Sequence, residues 1–346
     1  MKNIALICGG QSPEHEISIR SAKNILGHLD RAKYTVHLIG ISKSGKWFSM
    51  DESALEDVIP EVGDQLKIVP GTADCFVTDK GALGKMAAIF PILHGPNGED
   101  GAVQGLMQLL NLPFVGPGVL GASMSMDKDV AKKMLRYEGL KVADWVTVRR
   151  GEDVPTYAQL CGQLGEVLFV KPANMGSSVG VSRVSDETSW NAAIKEAFVY
   201  DDKVLVEARL IGREIECAVK GNEHVTASGV GEVVSGDVYS YEQKYASGSS
   251  AKTVIPADVS ETELKTLQSH AICAYKALEC KGLSRVDSFL TASGDVYINE
   301  VNTMPGFTSI SMYPSLWEQE GVSYTALLDE LIELAIARGG IDQGLA

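Results

Sequence analysis

Three side chains with hard oxygen atoms lie near one another in the C-terminal part of the 346-residue sequence: Asp287, Glu300 and Asn302. Two apolar runs, 286–290 and 296–301, flank a turn-forming Ala-Ser-Gly-Asp segment, which predicts a β-hairpin. Glu300 and Asn302 are two residues apart, so both point to one face of a strand, and a hairpin can bring Asp287 opposite them. Two carboxylates and an amide oxygen suit a hard cation such as Mg²⁺ that keeps water and phosphate as its other ligands.

Arg285 adds a fixed positive charge to the same face, because it precedes Asp287 by two residues. The alternative is an exposed hairpin whose charges are all solvated. The neighbours of these side chains are mostly apolar, however, and a buried group of acids needs a counter-charge. The pattern therefore favours a cation site with an arginine beside it.

A second stretch has the composition of a phosphate-binding loop. An apolar strand, 167–171, ends in Lys171 and leads into Gly176-Ser177-Ser178-Val-Gly180. Small residues let backbone N–H groups approach phosphate oxygens, and serine hydroxyls add donors. The Walker order GxxxxGK[ST] is absent and a strand follows the loop, so this is not a P-loop. A Gly/Ser hairpin loop without a ligand remains the alternative.

The N-terminal segment predicts the start of a doubly wound sheet. The strand 2–8 leads through GGQSPEHE into a helix and a second strand at 35–42, although G-x-G-x-x-G is absent. Glu14 lies at the loop–helix junction, where it is either a site residue or an ordinary acid at a helix start. The strand 87–93 ends at His94 and Glu99, where open α/β sheets bind ligands, although turn chemistry explains much of that loop.

The remaining elements follow from apolar periodicity. Predicted strands cover 113–118, 142–148, 203–207, 213–219 and 225–234, and predicted helices cover 127–138, 156–164, 187–198, 260–279 and 323–338. A further helix is predicted after Gly101, with Val103, Leu106, Met107 and Leu110 on one face. The helix 127–138 has an apolar face of Val130, Met134 and Tyr137, so local evidence makes Lys128 and Lys132 solvated lysines. The long polar loop 235–253 indicates a lid.

Composition narrows the class of protein. The chain is 45% hydrophobic with a net charge of −14, and it has no block of Lys and Arg. Those properties argue against nucleic acid and anionic membranes as partners. The six scattered cysteines form no C-x-x-C pair, and no signal sequence or membrane-spanning run is evident. We therefore expect a cytoplasmic protein.

Seven segments, in order, carry a resemblance that covers essentially the whole chain. They are GGQSPEHEIS (9–18), HGPNGEDGAVQG (94–105), MDK (126–128), VKPANMGSSVG (170–180), YEQKY (241–245), RVD (285–287) and NEVNTMPGFTSIS (299–311). With these segments the chain resembles the D-alanine–D-alanine ligases of the ATP-grasp superfamily. The resemblance implies an α/β fold in which an N-terminal doubly wound, Rossmann-like domain (1–121) precedes two α+β subdomains of an ATP-grasp fold (122–214 and 215–346).

The resemblance also implies roles for individual residues. Contacts to ATP are expected from Lys128, Lys171, Gly176, Ser178, Glu207, Arg209, Leu210, Glu214, Lys244 and Asn302. Arg209 replaces an aromatic residue common in relatives, which matters little if only its backbone contacts adenine. Ligands of two Mg²⁺ (or Mn²⁺) ions are expected at Asp287, Glu300 and Asn302. Groups around the two D-alanines are expected at Glu14, His94, Glu99, Ser177, Tyr245, Arg285, Gly306, Ser311 and Met312.

The implied activity is the ATP-dependent joining of two D-alanines through an acyl phosphate, for peptidoglycan precursor synthesis. By resemblance we also expect a homodimer. Ligation of D-alanine to D-serine or D-lactate is the alternative within the family. A different ATP-grasp ligase would lack Glu14 and the HGPNGED loop, and a non-catalytic nucleotide-binding module would lack a metal ligand or Arg285. None of these is missing.

Overall fold

The computed structural model describes residues 1–234 and 252–339. Its helices are α1 (His15–His28), α2 (Ala102–Leu109), α3 (Val119–Met126), α4 (Lys128–Tyr137), α5 (Tyr157–Leu164), α6 (Glu187–Tyr200), α7 (Glu261–Ala277), α8 (Met312–Gln319) and α9 (Tyr324–Arg338). Its strands are β1 (Lys2–Gly9), β2 (Tyr34–Ile41), β3 (Trp47–Met50), β4 (Asp64–Gln65), β5 (Lys67–Ile68), β6 (Phe76–Thr78), β7 (Gly81–Ala82), β8 (Ala88–Pro91), β9 (Trp145–Arg149), β10 (Leu168–Pro172), β11 (Ser182–Val184), β12 (Lys203–Ala208), β13 (Arg213–Gly221), β14 (Thr226–Val234), β15 (Lys252–Val254), β16 (Gly282–Leu290) and β17 (Val296–Asn302).

The first sheet has the order β4-β3-β2-β1-β8, and β1 pairs in parallel with both β2 and β8. The run Ile4 to Cys8 is wholly buried, as expected of a parallel strand covered on both faces. This arrangement confirms the predicted doubly wound start. It also places the loops after β1 and β8 side by side at the carboxyl edge of the sheet.

Two antiparallel sheets follow, with orders β11-β10-β12-β9 and β15-β14-β13-β16-β17. The predicted hairpin is confirmed as β16 and β17, which pair Asp287 with Glu300 and Arg285 with Asn302. Most other predicted elements differ from the observed ones by a few residues at their ends. A small sheet, β5-β6-β7, completes the strands of the described residues.

Two expectations about local structure are wrong. The segment 113–118 forms only an isolated bridge between Ile89 and Phe114 rather than a strand, although Pro113 and Val115 do exchange backbone hydrogen bonds with Ile89. Helix α4 buries Lys132 and Leu135 and leaves Tyr137 83% exposed, so its inward face is not the predicted apolar one. The helix starts where the Asp127 carboxylate accepts the N–H groups of residues 129 and 130.

One apolar core crosses the proposed domain boundary near residue 121. It joins Ile4 and Phe90 of the first sheet with Phe307, Leu327 and Leu331 from the C-terminal part of the chain. Helix α3 runs through the boundary itself. In residues 1–234 and 252–339, no helix is both long enough and apolar enough to cross a membrane.

Candidate active site

The hairpin of β16 and β17 supports an arginine–aspartate pair at one end of the candidate site. Arg285 Nε and Nη2 each lie 2.7 Å from one carboxylate oxygen of Asp287, a bidentate pair. The Asn302 amide nitrogen donates to the same carboxylate at 2.9 Å. Asp287 is only 3% exposed. Burial opposes the charged form of Arg285, but Asp287 and Glu216 outweigh it and raise the arginine pKa.

Asp287, Glu300 and Asn302 suit a cation whose remaining ligands come from the phosphates of a substrate. In the ranges that the structure describes, no group of three or more His, Cys, Asp or Glu side chains could hold a metal alone. The cross-strand pairing of Asp287 with Glu300, with Asn302 two residues further along β17, gives two carboxylates and an amide on one face. Mg²⁺ usually takes one or two carboxylates and completes its shell with water and phosphate.

Sequence reasoning missed Glu216, although a signal for it was present. It lies on β13 opposite Asp287, is 7% exposed, and its carboxylate is 2.9 Å from Arg285 Nε. Glu214 and Glu216 alternate with buried apolar residues, which places both acids on one face of the strand. The alternation could have marked Glu216 as a candidate, but its contact with Arg285 depends on the pairing of β13 with β16, which only the structure gives.

Three lysines meet two acids where α4 approaches β10 and β12. Lys171 Nζ lies 2.8 Å from Glu207 Oε2, and Lys132 Nζ forms an ion pair with Glu207 Oε1 at 3.2 Å. Lys128 Nζ donates to the carbonyl of Met175 at 2.6 Å and is 3.9 Å from Glu300 Oε2. The solvated lysines expected from sequence are therefore both enclosed, with side chains 12% exposed for Lys128 and 2% for Lys132.

The charges of this group are set by a balance of burial and pairing. Burial acts to raise the pKa of Glu207, but Lys171 and Lys132 outweigh it and hold that pKa below its usual value. Burial lowers the pKa of Lys132 to about 8, with Glu207 acting in the opposite direction. Burial also lowers the pKa of Lys128. The pairing favours the ionised form of Glu207, and the lysines gathered around it suit nucleotide phosphates.

Glu14 connects the N-terminal loop to the Gly/Ser loop. It caps the N-terminus of α1 without a side-chain capping bond, is 7% exposed, and accepts a hydrogen bond from the Ser177 hydroxyl. Space around the carboxylate is small: a methyl group at Gly95 would lie 2.8 Å from Glu14 Oε2, and one at Gly176 would lie 3.2 Å away. Glu14 is therefore more than an acid at a helix start, because its carboxylate accepts a hydrogen bond from Ser177 on another loop.

The loop of Ser177 and Ser178 is held in an uncommon backbone conformation. Both residues have positive φ values, 52° and 62°. Left-handed backbone at non-glycine residues costs free energy and concentrates at ligand-binding sites. Turns of this kind direct successive N–H groups toward one point, which is how backbone binds anions.

His94 and Glu99 hold the loop that precedes Gly306. His94 Nδ1 lies 2.9 Å from the carbonyl of Met304, and Glu99 accepts the N–H groups of Gly95 and Met304 at 2.7 and 3.1 Å. Burial lowers the pKa of His94, which favours the neutral imidazole. Burial, with the charge of Glu14 as the second cause, raises the pKa of Glu99 to about 8.

The remaining predicted residues lie in different surroundings. Ser311 Oγ accepts the N–H of Thr308 at 2.9 Å and would lie 2.8 Å from a methyl group at Gly306, so Gly306 and Ser311 adjoin. Met312 is 4% exposed and packs in the apolar core, and its contact with substrate stays a prediction.

Arg209 is exposed and its backbone N–H donates to Val167, while Leu210 and Glu214 are partly buried. Lys244 and Tyr245 lie outside the described residues, as does most of the 235–253 loop. For these positions, and for all the other predicted site residues, the assigned roles remain predictions.

Family models match both parts of the chain. The model described as "D-ala D-ala ligase N-terminus" matches residues 3–117, and "D-ala D-ala ligase C-terminus" matches 134–333. The chain belongs to the D-alanine–D-alanine ligase family. This confirms the resemblance found in the sequence and establishes an ATP-dependent ligase with an α/β ATP-grasp architecture.

Named relatives and solved structures agree. D-alanine–D-alanine ligase A of Chromobacterium violaceum is 48% identical, covering 99% of this chain and 97% of the relative. The corresponding ligase A of Escherichia coli K12 is 43% identical, covering 99% and 98%. The D-alanine–D-alanine ligase structure from Coxiella burnetii superposes with a TM-score of 0.85 at 40% identity, covering 98% and 96%. The VanG D-Ala:D-Ser ligase of Enterococcus faecalis superposes with a TM-score of 0.87 at 35% identity, covering 96% and 99%.

Proposed function

We propose that this ligase joins two molecules of D-alanine, with cleavage of ATP to ADP and phosphate, in the synthesis of peptidoglycan precursors. The observation that carries the proposal is the hydrogen bond from Ser177 to Glu14. It joins the Gly/Ser loop, suited to phosphates, to a carboxylate suited to a substrate ammonium group. An amino acid held there would have its own carboxylate directed toward the lysines and the hairpin.

The first half-reaction activates a poor acyl donor. The carboxylate of the first D-alanine attacks the γ-phosphorus of ATP, forming an acyl phosphate and releasing ADP. Lys128 and Lys171 neutralise phosphate charge, and the N–H groups of the 176–180 loop bind phosphate oxygens. Glu14 holds the ammonium group of the first D-alanine, with its carboxylate oriented by Ser177.

The second half-reaction forms the peptide bond. The free amine of the second D-alanine attacks the acyl carbon, and inorganic phosphate leaves. Negative charge develops on the carbonyl oxygen, and the Gly306 N–H and Arg285 are the candidate donors to it. A donor of that kind typically contributes about 3 kcal/mol to transition-state stabilisation. Ser311, which adjoins Gly306, is the candidate contact for the carboxylate of the second substrate.

Asp287, Glu300 and Asn302 would hold two Mg²⁺ or Mn²⁺ ions when nucleotide is bound. The ions would neutralise the charge that develops on the transferring phosphoryl group. The bidentate contact with Arg285 supports this assignment, because it fixes the orientation of the Asp287 carboxylate in advance.

A second candidate function is the ligation of D-alanine to D-serine, which the likeness to VanG favours. The two functions differ only in the second substrate. They are separated by phosphate release measured with D-alanine alone, with D-alanine plus D-serine, and with D-alanine plus D-lactate, followed by mass spectrometry of the products. We expect turnover and D-alanyl-D-alanine with D-alanine alone. Robust turnover that requires a mixed pair would overturn the proposal.

The proposal includes two properties beyond the reaction. A cytoplasmic location is supported by six free cysteines, since disulfides are rare in reducing compartments. A homodimer is expected from the family resemblance, and sedimentation velocity would test it. A single species near 37 kDa would contradict the homodimer.

A further inference from the structure

Lys132 is a buried charged residue that the mechanism above does not use. Its side chain is 2% exposed, whereas lysines are almost never fully buried unless they are paired. It lies one helical turn from Lys128 on α4, and it shares the Glu207 carboxylate with Lys171. Its position therefore requires an explanation.

The Glu207 carboxylate is shared between two lysines. Lys132 pairs with Oε1 at 3.2 Å and Lys171 with Oε2 at 2.8 Å. Lys132 also donates to the carbonyl of Ala143 at 3.2 Å and lies 5.4 Å from the centre of the Trp145 ring. Lys132 therefore contacts the Glu207 oxygen that does not pair with Lys171.

The shared Glu207 carboxylate is important because Lys171 is also expected to contact the nucleotide phosphates. If Lys171 directs its charge to nucleotide phosphates, Glu207 must find another cation, since it is only 4% exposed and an unpaired buried carboxylate is strongly unfavourable. We propose that Lys132 is a positioning residue for ATP binding: it keeps Glu207 paired and so leaves Lys171 available to the nucleotide phosphates. This inference rests on the proposed function of the site.

Loss of Lys132 would change the local charge. Two lysines and one carboxylate leave one net positive charge near the phosphates. Without Lys132, Glu207 would hold Lys171 as its sole partner and the net charge would fall to zero. ATP would then have to compete with a buried carboxylate for Lys171.

The same arrangement makes a pH effect testable without mutation. The charged groups that face Lys132 are Glu207 on β12, Lys171 on β10 and Arg136 on its own helix, and the Trp145 ring on β9 adds no charge. Burial lowers the pKa of Lys132 to about 8. Lys132 is therefore charged at pH 7 and neutral well above pH 8, so the KM for ATP should rise through that range.

The test compares Lys132→Met with Lys133→Met, the same substitution one residue later on a side chain that is 61% exposed. Both are also made in a Glu207→Gln background. The KM for ATP and kcat come from phosphate release at saturating D-alanine, and the Kd for ATP comes from calorimetry, which needs no turnover. We expect Lys132→Met to raise KM and Kd about tenfold, with a smaller change in kcat.

The effect should depend on the charge of Glu207. In the Glu207→Gln background, Lys132→Met should change the ATP affinity less than about twofold, as should Lys133→Met in either background. Unchanged ATP affinity in Lys132→Met, or the same tenfold loss with and without the Glu207 carboxylate, would overturn the positioning role.

A second variant keeps the inference testable if Lys132→Met does not fold. Lys132→Gln, which removes the charge and keeps a polar side chain, is then measured in the same way, and an unchanged Kd for ATP in that variant would overturn the inference. Wild-type protein that binds ATP but releases no phosphate with D-alanine would instead count against the proposed function. The two failures are therefore distinguishable.

Discussion

Gly95→Ala is the substitution that most directly tests the geometry around Glu14. Gly95 has a φ of +71°, and its N–H donates to Glu99 at 2.7 Å. A methyl group at this position would lie 2.7 Å from Ser12 Oγ and 2.8 Å from Glu14 Oε2. The substitution therefore adds one carbon atom closer to the Glu14 carboxylate and the Ser12 hydroxyl than van der Waals contact allows.

Gly95→Ala should have two effects, a loss of stability and a loss of activity, and each can be estimated. Left-handed backbone at alanine costs about 1–2 kcal/mol, and at roughly 2–4 °C per kcal/mol the melting temperature should fall by several degrees. The carboxylate must also move by several tenths of an ångström. Because a displacement of about 1 Å in a positioned group can cost about 100-fold in rate, we expect kcat/KM for D-alanine to fall by about 10- to 100-fold.

Gly139→Ala is the matched control. Gly139 has a similar φ of +80°, but a methyl group there meets no atom within 4 Å. It should show the loss of stability without the loss of activity. Thermal melts followed by circular dichroism and phosphate release over a D-alanine series measure the two quantities.

Either of two results would refute the reasoning about Gly95. One is a Gly95→Ala enzyme with the wild-type kcat/KM for D-alanine. The other is an equal loss of activity in both variants, which would mean that backbone strain, and not displacement of Glu14, is responsible.

Three further predictions concern single side chains. Asp287→Ala should leave a folded protein whose turnover falls about 100-fold or more, because the proposed metal ligand and the bidentate partner of Arg285 are lost; near-normal phosphate release would refute the metal assignment. Ser177→Ala should raise the KM for D-alanine about tenfold by removing the donor to Glu14, and an unchanged KM would show that the bond is not used. Burial lowers the pKa of His94, so below about pH 6.5 the unfolded chain takes up a proton that the folded chain does not. The free energy of unfolding is therefore unaffected by His94 above pH 6.5 and decreases as the pH falls from 6.5 toward the folded pKa. Urea unfolding at pH 7 and 5 should show this loss in the wild type and a smaller one in His94→Asn; equal losses would contradict it.

The hairpin shows how far local pattern can predict a site. Its strands, its turn and the shared face of Asp287 and Glu300 follow from apolar runs and residue spacing, and the observed register agrees. The first strand of the first sheet was equally predictable from the sequence, because a buried parallel strand needs an unbroken apolar run. Both predictions rest on interactions between residues that are near in sequence.

The errors share a different origin. Lys132 was predicted to be solvated because its partner, Glu207, lies 75 positions later on another element. Likewise, Pro113 to Gly118 has the composition of a strand, but only Phe114 bridges to the sheet. Long-range pairing decides such positions, and no window of sequence around them contains the deciding residue. The resemblance to a family supplied candidate site residues that local pattern could not, and their roles remain predictions.

The apolar core shared between the two ends of the chain has a consequence during synthesis. Phe90 emerges from the ribosome long before Leu327 and Leu331, which complete the core around it. At about 5–20 residues per second, roughly 10–40 s separate the first 121 residues from the helix that covers them. For that period the nascent first sheet has an uncovered apolar face. The core around Phe90 is therefore expected to form only after residues 324–338 have been synthesised, and chaperones can bind the uncovered apolar face until then.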